Sequence, residues 1–346
     1  MIAYETTEPG APLARVEKET PQPEGAQVLL RMLACGVCHS DIHLHDGAFE
    51  LGNGKRLDVA QTGQVLGHEI FGEVVAVGPD AEGIKPGDRR VVYPWIGCGE
   101  CAACQRGDEH LCTPGRALGI VRPGGFADHV LVPHSRYLFD KGAVPDSLAA
   151  TYACSGLTAY GALNKVGDLK PLDKVVILGV GGVGMMAVQI AISVFGIQPL
   201  VVDIDDEKLA AARKLGAEAA FNSSDPQTAK EIRKRTGGAY AVIDFVGAEA
   251  SVNYGLNCLR KGGKLIIVGL YGGSLTLPIP FIPMNARIIQ GSYVGTLQEM
   301  GELMAMVRDG KVAPIEILER PLAEVTDALA DLKAGKVKGR QVLMNV

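Results

Sequence analysis

The chain has 346 residues, 47% hydrophobic and 21% charged, with 34 Lys+Arg against 39 Asp+Glu for a net charge of −5. That composition belongs to a globular chain with ample core and length for about two domains. It carries no basic stripe, which argues against nucleic acid or an anionic membrane as partner.

The opening stretch MIAYETTEPGAPLARVEKE carries acids early and no apolar segment of the signal-peptide kind. Eight cysteines without an export signal then point to a reducing, cytoplasmic setting. There, clustered cysteines are expected as metal ligands or catalytic groups rather than as disulfides. The 44 glycines, about one residue in eight, predict tight turns and close approach of backbone to a ligand. Short strands are predicted at QVLLRMLA (27–34), EIFGEVVAVG (69–78), RRVVYPW (89–95) and FADHVLVP (126–133). Turn signals such as Lys85-Pro86-Gly87-Asp88 separate them, so the first half reads as β-rich with few helices.

Within that half, CGVCHSDIHLHDG (35–47) holds two cysteines, three histidines and two aspartates. Its C-x-x-C spacing suits a zinc knuckle, a redox dithiol or a crowded polar loop, and the residues alone leave that open. Farther on, Cys98, Cys101, Cys104 and Cys112 form C-x2-C-x2-C-x7-C. Four thiolates on one short loop match a closed, tetrahedral structural zinc, with an iron–sulfur cluster or a disulfide pair as rivals. Cys154 and the His68-Glu69 pair come from separate segments. A Cys/His/Cys set gathered from three segments leaves a fourth position open, the arrangement of a catalytic zinc. Cys35 and Cys258 lie in apolar runs and are expected to be buried and inert.

Beyond about residue 155 strands alternate with helical periods. The strands are KVVIL (174–178), PLVVDI (199–204), AAFN (219–222), YAVIDFV (240–246), GKLIIVG (263–269) and RIIQGSYV (287–294). Such alternation predicts a doubly wound parallel sheet. Gly179-Val180-Gly181-Gly182-Val183-Gly184 sits between the first strand and its helix, where glycines permit a tight turn and approach of a pyrophosphate to backbone N–H groups. Asp203, nineteen residues past Gly184, ends the second strand. A carboxylate there accepts from the ribose hydroxyls and repels a 2′-phosphate, so NAD is expected over NADP. The uncharged run Val175–Val202 is long enough for a bilayer, but its glycines and Gln198-Pro199 favour a buried strand–turn–helix–strand. The last fifty residues read as two helical segments, MGELMAMVRDGKV (300–312) and EVTDALADLKAGKVKGR (324–340), and a short strand, RQVLMNV (340–346).

GVCHSDIH, GHE, the four-cysteine lobe, CSGLTAYGAL, GVGGVG, VVDID, GSYVG and GKVKGR follow one another in a familiar order. Over nearly its whole length the chain resembles the zinc-dependent alcohol dehydrogenases of the medium-chain dehydrogenase/reductase superfamily, of the bacterial and yeast-like tetrameric type. The resemblance implies an α/β fold. A GroES-like β-rich catalytic domain is formed from residues 1–153 and 296–346, and a Rossmann domain from 154–295. It assigns Cys38 rather than Cys35 to zinc, with His68 and Cys154, and so implies two zinc ions and NAD per subunit in a homotetramer.

The resemblance also assigns neighbours. Glu69 stands beside the zinc as a possible fourth ligand, and Asp41 holds the free ring N–H of His68. Ser40 and His43 match a proton relay. His39 and Arg340 match pyrophosphate contacts, Lys208 a ribose contact, and Thr158 and Val268 further cofactor contacts. His45 has no implied role and is expected to be solvated. Trp95 is expected to line and narrow the substrate pocket, and the long segment 48–65 to make it roomier. The implied reaction is reversible hydride transfer between an alcohol, secondary or aromatic by preference, and NAD. Two other classes stay in view. A zinc-free quinone or enoyl reductase would not need Cys38, His68 and Cys154, and a non-catalytic NAD-binding protein would leave the relay residues unexplained.

Overall fold

The computed structural model describes residues 1–113 and 115–345. The chain forms two compact units, one of Met1–Ala48, Asp58–Leu157 and the residues from Thr296 onward, the other of Phe49–Leu57 and Thr158–Gly295.

In the first unit a mixed sheet runs in the order 317–321, 340–344, 28–37, 69–77, 89–92, 138–139, with 129–132 also paired to 28–37. Its centre is the strand Val28–Val37, whose side chains are buried on both faces apart from Arg31 and the half-buried Leu33. The strand Arg340–Met344 lies antiparallel beside it, pairing Val342 with Gly36 and Leu343 with Cys35. Both ends of the unit's sequence are therefore needed to close this sheet. The predicted final strand forms over Arg340–Met344, and Val346 lies outside the described residues. The predicted helix over 324–340 forms only across Val325–Lys333, because the chain turns at Gly335 with φ +69.

The second unit is a six-stranded, all-parallel sheet in the order 219–222, 200–203, 175–178, 239–244, 259–267, 288–291. That is the doubly wound order, which reverses beside the first strand. VVIL at 175–178 is buried throughout, as central parallel strands require. Helices cover it, and Val176, Leu200, Ile232, Val242, Leu256 and Leu265 form one core cluster. The uncharged run resolves into strand Val175–Leu178, helix Gly182–Ser193 and strand Leu200–Asp203. No helix among the described residues is long and apolar enough to cross a membrane.

One border differs from expectation. The turn bearing Cys154 packs with the first unit, so the division falls after Leu157 rather than after residue 153. Segment 48–65 is expected to enlarge the pocket, and its local structure is regular in part. It contains a hairpin, Ala48–Gly52 and Lys55–Asp58, turned at Asn53-Gly54 with φ +53 and +71. Asn-Gly in this mirror-image turn matches the twist of the paired strands. The hairpin joins the second unit: Gly273 N–H donates to Glu50 O at 3.4 Å and Asn53 Nδ2 to Ser274 Oγ at 3.0 Å.

Candidate functional site

Three elements of the first unit converge. Strand 28–37 ends at Cys38, which caps the helix His39–His45; strand Glu69–Val77 begins just after His68; and helix Asp146–Thr151 widens into a π-turn, Tyr152–Gly156, that carries Cys154. The ligand atoms of Cys38, His68 and Cys154 lie within 4.8 Å of one another, and all three residues are buried. Asp41, fully buried, orders two of the three segments. One carboxylate oxygen accepts from Cys38 N–H at 2.8 Å, the other from His68 Nδ1–H at 3.1 Å and Gly67 N–H at 3.2 Å. With Nδ1 committed, Nε2 is the nitrogen left to bind a cation, and it is buried without a hydrogen-bond partner.

The electrostatics fit a dication. A hydrogen bond from Cys154 holds the Cys38 thiol well below the usual range, while the same bond and burial push Cys154 well up. Two buried sulfurs this close to one imidazole fit zinc, the ligand chemistry that lets both be thiolates. Burial opposes charge on His68, but the Asp41 carboxylate and the Cys38 sulfur together outweigh it and raise the imidazole well above its ordinary value. A donor set of two thiols and one orphaned imidazole nitrogen, with no fourth side-chain ligand in the cluster among the described residues, suits an open zinc site. Trp95 backs it: its ring packs 5.4 Å from the His68 ring and its indole N–H donates to Ala153 O at 3.1 Å.

Glu69 and Arg340 meet each other. They form a buried ion pair through Oε2 and Nη2, and Glu69 Oε1 accepts from Ser155 N–H at 3.0 Å. Arg340 thus spends one guanidinium nitrogen on Glu69, and both oxygens of Glu69 have donors. Burial raises the Glu69 pKa against the lowering pull of Arg340.

On the helix His39–His45, His39 is exposed while Ser40 and His43 are half-buried. Burial lowers the His43 pKa from its ordinary 6.5, against the raising charges of Asp46 and Cys38 and a hydrogen bond to the Ala48 backbone. His45 is not solvated as expected. Its side chain is 11% exposed and Nε2 bonds Ala11 O at 2.7 Å, an arrangement made by a chain segment distant in sequence. Cys35 and Cys258 are fully buried, and desolvation pushes the first well up and the second to about 12, as inert thiols require.

The four remaining cysteines form a second cluster, again with all sulfurs within 4.8 Å. Neighbouring sulfurs lie 3.6 Å (Cys101–Cys104), 3.8 Å (Cys101–Cys112) and 3.9 Å (Cys98–Cys104) apart. A tetrahedron with Zn–S bonds of about 2.3 Å has edges of about 3.8 Å. Hydrogen bonds from the Glu100 and Cys101 N–H groups pull Cys98 down to about 6. Sequence reasoning missed the lobe's anchor. Glu109, buried, accepts from Gly97 N–H (3.3 Å), Arg136 Nη2 (2.9 Å) and the Tyr137 hydroxyl (2.7 Å). Only its place between Cys104 and Cys112 hinted at this.

In the second unit the glycine-rich turn is sterically exacting. Gly179 has φ +80, and a Cβ on Gly184 would lie 1.9 Å from Gly179 O. Gly181 caps the helix that begins at Gly182 and Val183, whose first N–H groups have no intrahelical acceptor. Asp203 closes the turn from beneath, Oδ2 accepting Val180 N–H at 2.8 Å. Lys208 lies 3.8 Å from Asp205, Thr158 is buried, and Val268 follows the fifth strand with its N–H on Asp244 O at 2.9 Å.

Residues 24–143 match the family model of the alcohol dehydrogenase GroES-like domain and residues 182–309 that of zinc-binding dehydrogenase. An NAD-dependent alcohol dehydrogenase of Sulfurisphaera tokodaii is 39% identical over 99% of this chain and 100% of its own. The crystal structure of the alcohol dehydrogenase from Aeropyrum pernix superposes with a TM-score of 0.87 at 32% identity, covering 99% of this chain and 100% of that one. The acetophenone reductase of Geotrichum candidum, solved with NAD, gives a TM-score of 0.86 at 28% identity, covering 99% and 97%.

Proposed function

We propose a reaction for a chain that belongs to the zinc-dependent alcohol dehydrogenases of the medium-chain dehydrogenase/reductase superfamily: reversible hydride transfer between an alcohol and NAD, giving a ketone or aldehyde and NADH. The observation that carries it is the buried Cys38–His68–Cys154 cluster with its orphaned imidazole nitrogen. Zinc bound there supplies Lewis acidity towards an oxygen, and NAD supplies the hydride acceptor. Asp41 fixes the His68 tautomer and ring orientation. Ser40 and His43 carry the hydroxyl proton outward; burial keeps His43 neutral at neutral pH and so able to take it. The glycine-rich turn receives the pyrophosphate and Asp203 the adenosine ribose, with His39, Thr158, Lys208 and Val268 as further contacts. Arg340, tied to Glu69 through Nη2, is a further pyrophosphate contact. The complete ligand set disfavours the zinc-free reductase reading.

Secondary or aromatic alcohols are the favoured substrates, a reading supported by likeness to the acetophenone reductase. Trp95 limits the pocket beside His68. A homotetramer is supported by an apolar face on the second unit, where Tyr271, Ile279, Phe281, Met284 and Ile288 are exposed around the edge strand Ile288–Gly291. Eight free cysteines fit a reducing cytoplasm. The test is metal analysis of the purified protein with NADH absorbance across primary, secondary and aromatic alcohols. Two zinc ions per subunit and turnover with NAD are expected. One zinc, or iron, would remove the two-site reading, and equal kcat/KM with NADP would remove the role of Asp203.

A further inference from the structure

We propose that Ser155 and Glu69 are positioning residues that hold open the wide turn on which Cys154 is presented to the metal, an inference that rests on the zinc reading above. In an α-helix the Ser155 N–H would bond Thr151 O, four residues back. Here the Ser155 hydroxyl takes that carbonyl, at 2.8 Å, and the released N–H donates to Glu69 Oε1 at 3.0 Å. The turn Tyr152–Gly156 accordingly widens to π geometry, a form that recurs at functional sites. Gly156 completes it, since a Cβ there would lie 2.6 Å from Tyr152 Cδ1. Glu69 is itself held firm. Arg340 grips its other oxygen, and a Cβ on Gly36 would fall 1.9 Å from Oε2, so only glycine leaves the carboxylate its seat. One dipeptide, His68-Glu69, therefore supplies one ligand and splints the turn that carries another. With both oxygens engaged, Glu69 acts on Cys154 through Ser155.

The test compares Ser155→Ala, Ser155→Thr and the double variant Glu69→Gln/Arg340→Met in the full-length protein. Zinc release to a chelator is followed, together with the d–d absorption of protein carrying cobalt at the three-ligand site. The four-cysteine zinc reports folding in every sample. Ser155→Ala lets Thr151 O recapture the backbone N–H, so release from the three-ligand site should quicken about tenfold or more and the cobalt bands should shift. Ser155→Thr, which keeps the hydroxyl, should stay within about threefold of the parent. In the double variant the amide oxygen still accepts from Ser155 and no buried charge is stranded, so release should again be near parental. Parental release and an unchanged spectrum in Ser155→Ala would overturn the proposal. So would release quickened as much in Ser155→Thr as in Ser155→Ala, since the hydroxyl would then not be what holds the turn; if the double variant does not fold, the alanine–threonine pair decides alone. A parent without metal at this site would overturn the zinc reading and the inference together.

Discussion

Asp41→Asn replaces one carboxylate oxygen by an NH2 group at a site with no solvent to repair the loss. Three donors point at the native carboxylate: Cys38 N–H at 2.8 Å, Gly67 N–H at 3.2 Å and His68 Nδ1–H at 3.1 Å. If the amide oxygen stays on the His68 side, the NH2 meets the Cys38 N–H, donor against donor. If it flips, His68 must accept at Nδ1, which moves its proton to Nε2 and takes away the lone pair a cation needs. The first arrangement loses one charge-assisted hydrogen bond and is preferred, at about 1.5–3 kcal/mol. Part of that appears as lower stability with or without metal. The metal-dependent part arises because a cation on Nε2 makes Nδ1–H a stronger donor, which an amide rewards less than a carboxylate. Zinc affinity at this site should fall about 10- to 100-fold. Chelator competition measures it, with the four-cysteine zinc as an unchanged internal reference. Affinity within about threefold of the parent would falsify the idea that Asp41 tunes the ligand set.

Cys101→Ser removes one corner of the closed thiolate cluster and should lower Tm and the zinc count by one per subunit, while folded protein keeps turning over at low temperature. A variant as stable as the parent but inactive would contradict the structural assignment. His43→Gln should keep zinc and NAD binding and lose about 10²-fold or less in rate. Because burial lowers the His43 pKa, the native rate of alcohol oxidation should decline only as pH falls below the ordinary 6.5, and this acidic limb should vanish in the variant. An unaltered pH–rate profile would remove His43 from the relay.

The parts legible in the sequence were those whose partners lie close along the chain. The four cysteines of the lobe fall within fifteen residues, and the glycine-rich turn announces itself between a strand and a helix. The doubly wound sheet followed from apolar runs alternating with helical periods. Cys38, His68 and Cys154 were visible as residue types, but only the family resemblance joined them, because spacing says nothing about three distant segments. The Glu69–Arg340 pair spans 271 residues and left no local trace. His45 was misread for the same reason: its acceptor, Ala11 O, comes from the N-terminal segment. The π-turn was equally hidden, since a serine hydroxyl replacing its own backbone N–H cannot be inferred from helical periodicity.

The place of Arg340 has a consequence during synthesis. All three candidate zinc ligands, and Glu69 with them, leave the ribosome before any of the chain from Thr158 to Gly295, whereas the strand that supplies Arg340 leaves after it. Until then the strand Val28–Val37 lacks one of its hydrogen-bonded neighbours, and the Glu69 carboxylate faces a low-dielectric interior without its counter-charge. The nascent first unit therefore lacks the strand Arg340–Met344 for as long as the sheet of the second unit is being made. Loop-closure entropy rises only slowly with the length of the intervening chain, so this delay costs time rather than stability. The exposed edge of Val28–Val37 is thus where a chaperone, or an unwanted neighbouring strand, would find the growing chain.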